Sequence, residues 1–259
     1  MFLSEPGRTN YDLEFSLLGF PVRVHPAFFI MPILLGRGLI TPDVNTGVGY
    51  ILVIAIFFVS ILIHELGHAM AFRFYGLPSR IVLYWMGGLA IPDSGSIWSK
   101  PSRGALTSNQ QIVVSFAGPA FGLLLAAFTV GIVYLLGGQV VRVEGTVVPV
   151  FLPDFRATGY PVQGTLFIVC FGGIMLNIFL NLLNLVPIYP LDGGQIARQI
   201  MTQMDSFNGI RNSIILSIAC AVLIAVFSLM NDQRFMAFFF GFMAWSNYQM
   251  LYQYGGRRW

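Results

Sequence analysis

The sequence predicts an all-α polytopic membrane protein, with about six transmembrane helices and a small membrane-associated β segment between the second and third of them. Two observations predict this class. Apolar residues make up 56% of the 259 residues and charged residues only 10%, whereas a soluble domain carries roughly 25% charged residues. The apolar residues also form stretches long enough to cross a bilayer, which takes about 20 residues. Much of the protein surface must therefore contact lipid.

Charge and cysteine content exclude several functions. The formal net charge is +3, which is too small to indicate nucleic-acid binding, so no nucleic-acid partner is expected. Cys170 and Cys220 both lie in apolar stretches, and the sequence contains no CxxC pair. A disulfide framework or a cysteine zinc site is therefore not expected, and both residues are interpreted as small buried hydrophobes.

Six apolar stretches account for the predicted helices. The first is the weakest, because it is short and is interrupted by Gly36, Arg37 and Gly38. The others are long enough to span a bilayer or nearly so. The six stretches cover residues 26–40, 46–74, 110–136, 164–187, 212–230 and 235–252.

The segment between the second and third stretches has a different pattern. Residues 80–91 read RIVLYWMGGLAI, a β-branched and aromatic run that Gly87 and Gly88 interrupt and that two prolines bound. This pattern predicts a short strand or hairpin. Because a strand edge cannot face lipid unpaired, we expect the segment to line a cavity within the protein. Residues 138–163 form a longer polar loop with a second β-like run.

The distribution of Lys and Arg residues predicts the orientation in the membrane. With six spans and a cytoplasmic N-terminus, four of the fourteen basic residues lie outside and the other ten lie in the cytoplasm. An excess of basic residues in cytoplasmic loops supports this orientation. The four outside residues are Arg37, Arg142, Arg156 and Arg234. The short chain without a recognisable targeting signal suggests a prokaryotic plasma membrane.

The second stretch contains the motif HExxH at residues 64–68. His64 and His68 are four residues apart, so both imidazoles lie on one face of a helix and can bind one zinc ion. Glu65 is offset around the helix, where it can reach a water molecule on that ion. The alternatives are a chance match and a pair of structural histidines. Ionisable side chains within a span are costly, which favours a functional interpretation.

Asp192 is the best candidate for a third zinc ligand. A catalytic zinc takes three protein ligands and keeps one position for water. Most other acidic residues lie in loops or in the N-terminal segment. Asp192 follows the fourth stretch, where two prolines and two glycines predict an irregular turn near its cytoplasmic end. The HExxH motif lies near the cytoplasmic end of the second stretch, so the depths in the membrane agree. An ordinary turn residue is the alternative for Asp192 taken alone.

Together these motifs resemble the site-2 protease family of intramembrane zinc metalloproteases. That family carries HExxH in one span and NxxPxxxxDG in another, and here the second motif reads Asn184, Pro187, Asp192 and Gly193. The resemblance covers about residues 17–200. Further matching pieces are the pair Gly87-Gly88, the string Ala117-Gly118-Pro119 and the segment GFPVRVHPAFF at residues 19–29.

One position departs from the family pattern. The family often has Asn three residues after the proline of a GPxxN element, and this chain has Gly122 there. The family does not use that position as a metal ligand. Gly118 and Gly122 instead form a GxxxG pair, which predicts close packing of the third stretch against a neighbouring helix.

The resemblance implies one zinc ion per chain, bound by His64, His68 and Asp192, with Glu65 as the general base. It implies a zinc metalloendopeptidase that cleaves within or near a transmembrane segment of a protein substrate in the lipid bilayer. We expect the active site near the cytoplasmic side, in a single domain over residues 1–259 without a PDZ or CBS domain. Its core would cover residues 17–200, with two additional spans at 209–253. The substrate-binding residues would be Asn184, Gly87 and Gly88.

Three asparagines share one face of the fourth stretch. Asn177, Asn181 and Asn184 lie at positions i, i+4 and i+7. Interhelical hydrogen bonding is the expected role of Asn177 and Asn181. For Asn184 the alternative of contact with substrate or with a developing oxyanion is equally favoured. His25 is interpreted as an interfacial residue, because the predicted zinc site already has three ligands.

Three other functions are alternatives to a site-2 protease for a chain that carries this HExxH motif. A non-catalytic intramembrane zinc-binding protein or transporter would need a chain of ligands across the membrane, and one cluster is seen. A catalytically inactive scaffold would carry a damaged motif, and every essential residue is intact. A prenyl-protein-processing HExxH protease would need a downstream Glu, and no Glu follows Glu144. Zinc retention without cleavage after the substitution Glu65→Gln would distinguish the protease from a transporter.

Overall fold

The computed structural model describes residues 5–36, 40, 44–85, 87–92, 106–143, 150–154 and 164–255. Contacts between Cα atoms divide the chain into two compact units. The first unit comprises residues 1–103 and 117–181, and the second comprises residues 104–116 and 182–259. The helices are α1 (Ile30–Gly36), α2 (Thr46–Phe74), α3 (Ser108–Leu135), α4 (Thr165–Asn184), α5 (Asp192–Met204), α6 (Gly209–Met230) and α7 (Arg234–Gly255).

Four described helices are long and apolar enough to cross a membrane, namely α2, α3, α4 and α6. The chain is therefore a multi-pass membrane protein. The first expected span is a 3-10 turn at Pro26–Phe29 followed by the short helix α1. Helix α7 has 22 residues and carries several polar side chains in its second half. The total of six spans therefore stays a prediction.

Helix α2 begins and ends at recognisable capping residues. The side chain of Asn45 accepts a hydrogen bond from the backbone N–H of Gly47 at 2.9 Å, which satisfies one free N–H group of the first turn. At the other end Gly76 has a φ of +80°, a conformation that favours glycine. The N–H of Leu77 then donates to the carbonyl of Phe72 at 2.9 Å. This bond is part of a Schellman motif, and it fixes the helix that carries the HExxH motif.

The first unit contains a four-stranded sheet in the order β1-β2-β3-β4. Strands β1 and β2 form an antiparallel hairpin, β2 and β3 pair in parallel, and β3 and β4 pair antiparallel. The strands are β1 (Leu13–Leu17), β2 (Phe20–Val24), β3 (Ser79–Tyr84) and β4 (Gly87–Pro92). The apolar side chains of β2 and β3 are buried with those of α2 in one core, so the sheet and the HExxH helix pack together.

The sheet shows what the local sequence pattern did and did not predict. Strands β3 and β4 lie in the segment 80–91 where a strand or hairpin was expected. The hairpin of β1 and β2 was not predicted, because residues 19–29 were interpreted as the approach to the first span. A second, two-stranded sheet pairs β5 (Gln139–Val143) with β6 (Val150–Asp154) in the region of the predicted polar loop.

A buried arginine links the N-terminal segment to the sheet. The side chain of Arg23 is 7% exposed, and it forms ion pairs with Asp12 at 2.8 Å and with Glu5 at 2.9 Å. Arg80 on β3 binds the second carboxylate oxygen of Glu5 at 2.8 Å. Arg23 also donates to the carbonyl of Pro6 at 2.9 Å. The positive charge is thus compensated within the protein, as a buried charge requires.

These contacts predict a dependence of stability on pH. The hydrogen bonds from the hydroxyl of Thr9 and then from Arg23 lower the pKa of Asp12 to about 2, although burial opposes the shift. Because this pKa is depressed on folding, its stabilising effect is present above the usual carboxyl pKa of about 4 and is lost as pH falls towards 2. We expect Asp12→Asn to lower the midpoint of thermal unfolding in detergent at pH 7, with a difference from wild type that closes at low pH.

The control for this prediction is Glu14→Gln. Glu14 lies in the exposed ion pair with Arg8 at 4.0 Å, and such pairs contribute little to stability. We expect no measurable change in the unfolding midpoint for this variant. A difference between Asp12→Asn and wild type that stays constant from pH 7 to low pH would contradict the assigned role of the ionised carboxylate.

In the second unit, α5 follows an irregular segment at residues 185–191. The sequence pattern predicts an irregular turn around Asp192 and no helix before the fifth span. In the structure the turn ends at Leu191, and Asp192 begins the 13-residue helix α5. Helix α5 differs from the long apolar stretches that predict spans, because it is short and amphipathic, with apolar Ile196, Ile200 and Met204 at spacings of four.

Candidate metal centre

The three titratable side chains of the HExxH motif converge inside the first unit. His64, Glu65 and His68 are buried, and one ligand atom from each lies within 4.8 Å of the others. The two Nε2 atoms of His64 and His68 are 3.2 Å apart. Ligands at about 2.0–2.1 Å from a tetrahedral zinc ion lie about 3.3–3.4 Å from one another. The two imidazoles are therefore placed as two ligands of one zinc ion, and the cluster fits zinc as the cofactor.

The other ring nitrogen of His64 has a partner on helix α4. Its Nδ1 lies 2.7 Å from Oδ1 of Asn181, which is fully buried. Since an amide oxygen accepts, His64 donates from Nδ1–H, which leaves the lone pair of Nε2 directed at the predicted metal position. Outer partners of this kind fix the tautomer and orientation of a metal-binding histidine. The interhelical hydrogen bonding predicted for Asn181 is therefore confirmed, whereas the identity of its partner, His64, was not predicted from the sequence.

Asn181 belongs to a polar ladder between α2 and α4. One turn earlier on each helix, the amide of Asn177 donates to the hydroxyl of Ser60 at 2.9 Å. The amide nitrogen of Asn181 in turn donates to the backbone carbonyl of Asn177. Ser60 and His64 are four residues apart, as are Asn177 and Asn181, so both helices present their polar side chains at the same spacing. The ladder fixes the register of α2 against α4 at the metal centre.

Removal of the Asn181 contact tests this interpretation. We expect Asn181→Leu to raise the dissociation constant for zinc by about 10–100-fold, the usual effect of losing an outer partner of a ligand. Competition with a chelator measures this constant. The matched control is Asn177→Leu, which removes the neighbouring rung of the ladder without touching His64. An equal loss of zinc affinity in both variants would show a general packing effect and contradict the specific role of Asn181.

Two glycines of α3 allow this helix to approach the histidines closely. A Cβ atom at Gly118 would overlap the Nε2 of His68, and one at Gly122 would overlap the side-chain amide of Asn181. On the facing helix, a Cβ atom at Gly67 would overlap the carbonyl of Ala117. The close packing that the GxxxG pair predicted is therefore confirmed. Gly122, where the family pattern often has Asn, provides the space that the side chain of Asn181 occupies.

This packing predicts a large effect of one methyl group. We expect Gly118→Ala to displace the imidazole of His68 and to abolish stoichiometric zinc binding, which elemental analysis of the purified protein measures. The control is Gly131→Ala on the same helix, where a Cβ atom meets nothing within 4 Å. That variant should keep its zinc and its stability. Full zinc occupancy in Gly118→Ala would show that His68 is not held at this position.

Strand β4 approaches Glu65 closely at Gly88, because glycine has no side chain. A Cβ atom at Gly88 would overlap Cγ of Glu65 and lie 2.5 Å from its Oε1. Gly87 has a φ of +124°, which other residues adopt only with strain. Strand β4 is an edge strand of the sheet. The structure thus places the two glycines predicted to bind substrate at the start of an edge strand, with Gly88 directly against the predicted general base.

Asp192 and Asn184 belong to the second unit. Asp192 is buried in the first turn of α5. Its neighbours Gly193 and Gly194 have no room for a side chain, because a Cβ atom on either would overlap the backbone at Leu185 or Ile188. Asn184 is the last residue of α4 and is half-buried.

His25 lies before the 3-10 turn and accepts a hydrogen bond from the N–H of Ala27 at 3.1 Å.

The chain is a multi-pass membrane protein with a buried HExxH motif on a membrane-spanning helix. These two features define it as a membrane metalloprotein whose histidines can bind zinc. The family model for peptidase family M50 matches residues 52–230, which is more than half of the chain. The chain therefore belongs to peptidase family M50, and the predicted resemblance to the site-2 proteases, a zinc metalloprotease family, is confirmed.

Individual relatives agree with this family. A zinc metalloprotease of Methanocaldococcus jannaschii is 30% identical over 197 residues, which are 75% of this chain and 47% of that protein. A protein of Synechocystis sp., named as a candidate zinc metalloprotease, is 32% identical over 73% of this chain and 44% of its own length. This chain thus spans about half the length of the curated relatives it matches.

A solved structure shares the fold. The site-2 protease from Methanocaldococcus jannaschii has a TM-score of 0.52 and 20% sequence identity to this chain. The likeness covers 93% of this chain and 95% of that one. It shows that the two chains share a fold.

Proposed function

We propose that this chain is an intramembrane zinc metalloprotease that hydrolyses peptide bonds within or near transmembrane segments of membrane proteins, as in regulated intramembrane proteolysis. The observation that carries the proposal is the buried cluster of His64, Glu65 and His68 on a spanning helix, with its two Nε2 atoms 3.2 Å apart. Ionisable groups at such a depth are costly and mark function.

The proposed zinc ligands are His64, His68 and Asp192, with Glu65 as the general base. When bound, zinc lowers the pKa of a water molecule to about 7 and polarises the scissile carbonyl. Glu65 accepts the proton of the attacking water and passes it to the leaving amine, since its carboxylate lies within the cluster. His64 keeps its orientation through the hydrogen bond to Asn181. Asn184 donates to the substrate or to the developing oxyanion.

Strand β4 is the proposed binding site for the unwound substrate. A peptide bond within a helix is protected, so the substrate segment must be extended before cleavage. The outer edge of β4, on the side away from β3, can accept such a segment by strand addition. Gly88 lies against Glu65, so an extended segment on this edge would run past the general base. Gly87 and Gly88 leave room for a substrate backbone to approach closely.

The proposed membrane arrangement has six spans in a prokaryotic plasma membrane, with the active site near the cytoplasmic side. The basic residues support this orientation, because ten of the fourteen fall on the cytoplasmic side of such a topology. One membrane-embedded protease domain would then comprise a core at residues 17–200 and two additional spans at 209–253. A transmembrane protein is its substrate partner.

Reconstitution tests the proposed activity. The full chain is placed in lipid vesicles with a model substrate that carries one transmembrane segment, and the cleavage site is mapped by mass spectrometry. We expect cleavage within or near the segment, loss of cleavage after zinc chelation, and recovery when zinc is added back. Cleavage only in a soluble loop of the substrate, or activity that survives chelation, would contradict the proposal.

A further inference from the structure

The irregular segment between α4 and α5 is held by the two C-terminal helices. The N–H of Tyr189 donates to the hydroxyl of Ser217 on α6 at 3.0 Å, and its carbonyl accepts from the amide of Asn247 on α7 at 2.6 Å. Both backbone polar groups of one residue are thus satisfied by side chains from two helices. Irregular backbone at membrane depth needs such partners, because lipid offers none.

Ser217 and Asn247 are built into their own helices as well. Ser217 is 1% exposed and donates to the carbonyl of Ser213 at 2.9 Å. Asn247 is 2% exposed and donates to the carbonyl of Met243 at 2.9 Å. Its Oδ1 atom is buried and has no hydrogen-bond partner in the described part of the chain. A buried amide with one unsatisfied oxygen is costly for folding.

The neighbouring residue Ile188 reinforces this attachment. Ile188 is fully buried in an apolar cluster with four residues of α6 and α7. The members of that cluster are Ile188, Ala221, Phe240, Met243 and Ala244. The segment is therefore fixed to these helices both by hydrogen bonds and by apolar packing.

The position of the segment determines the position of Asp192. A Cβ atom at Gly193 would overlap the carbonyl of Leu185, and one at Gly194 would overlap the backbone of Ile188 and Tyr189. The first turn of α5, which carries Asp192, thus lies directly on the segment that Ser217 and Asn247 hold. A displacement of the segment cannot leave the carboxylate in place, because this packing has no free space.

We infer that Ser217 and Asn247 are positioning residues for the proposed zinc ligand Asp192, which they hold through the segment between α4 and α5. The inference rests on the proposed function, because it requires Asp192 to bind zinc. It assigns to the two helices outside the predicted core an indirect part in zinc binding, through the backbone of Tyr189. Binding of zinc and packing of α6 and α7 on the segment then stabilise each other.

The test measures the dissociation constant for zinc of the detergent-purified full chain by competition with a chelator. We expect Ser217→Ala and Asn247→Leu each to raise this constant by about 10–100-fold. Ser217→Thr keeps the hydroxyl and should restore an affinity close to that of wild type. The matched control is Ser213→Ala, since the hydroxyl of Ser213 donates to the carbonyl of Ile210 on its own helix.

The unfolding midpoint of the zinc-free protein is measured alongside. Asn247→Leu removes one unsatisfied buried oxygen but also leaves the carbonyl of Tyr189 without its donor, so these two effects on apo stability oppose each other, while the zinc affinity should fall. A merely structural role would instead change apo stability and leave the zinc dissociation constant unchanged in both variants. That result, with Asp192→Ala still weakening zinc binding, would overturn the inference and leave the proposed function intact. Unchanged affinity in Asp192→Ala itself would overturn both.

Hydrogen exchange on the wild-type protein provides a test that no folding defect can obscure. We expect zinc to slow amide exchange at residues 186–191 and in the parts of α6 and α7 around Ser217 and Asn247. Exchange that slows only in α2 and α4 would contradict the coupling.

Discussion

Replacement of Glu65 by Gln should lower the rate of peptide hydrolysis by about 10²–10⁴-fold while zinc remains bound. Gln has nearly the same size as Glu, so it should fit beside Gly88, which lies directly against this side chain. It cannot accept a proton, so the attacking water loses its base. The two imidazoles and their spacing of 3.2 Å are not altered by this change. Cleavage of the transmembrane model substrate and elemental zinc content are measured on the same preparation.

The control for this prediction is Glu14→Gln, the same chemical change at an exposed position in β1. This variant should cleave at the wild-type rate. If Glu65→Gln cleaves at the wild-type rate, the active site lies elsewhere. If it loses zinc instead, Glu65 acts as a ligand, and the alternative of a non-catalytic zinc-binding protein or transporter gains support over the protease.

Replacement of Asp192 by Ala should have the second large effect. A directly bound carboxylate contributes more than its outer partners, whose loss typically costs about 10–100-fold in metal affinity. We therefore expect the zinc dissociation constant to rise by more than about 100-fold. The variant Asp205→Ala is the matched control, because Asp205 lies at the opposite end of α5 and binds only to the nearby turn. Unchanged zinc affinity in Asp192→Ala would mean that the third ligand is another residue.

The pattern of the sequence predicted most of the long helices. The second span was predicted at residues 46–74, and α2 has these bounds because a continuous apolar run lies between the cap Asn45 and the turn at Gly76. The fourth span was predicted to reach Pro187, but α4 ends at Asn184. The chain turns before the proline, since the residue preceding a proline is disfavoured in a helix.

The contacts that join distant parts of the chain were not predictable from local patterns. The partner of His64 is Asn181, 117 residues away, and its identification requires the register of α2 against α4. The parallel pairing of β2 with β3 depends in the same way on a connection that contains all of α2. Composition and periodicity describe one element at a time, whereas such contacts depend on how elements pack.

The metal centre itself was predicted from residue chemistry more completely than its surroundings were. The spacing of His64 and His68 placed both imidazoles on one helix face, as the structure has them. The role of Gly118 was recognised only as part of a packing pair, because the sequence does not show that His68 is its neighbour. The positions of Asp192 and Asn184 as functional residues stay predictions, as does the role of Gly87 and Gly88 in substrate binding.

Anomalous X-ray diffraction at the zinc absorption edge, on crystals of the full chain, tests the central claim most directly. The claim is that one zinc ion is bound by His64, His68 and Asp192. The expected result is a single anomalous peak at about 2.0–2.2 Å from the two Nε2 atoms and from a carboxylate oxygen of Asp192. A peak elsewhere, or a peak at the histidines with Asp192 turned away from it, would contradict the claim.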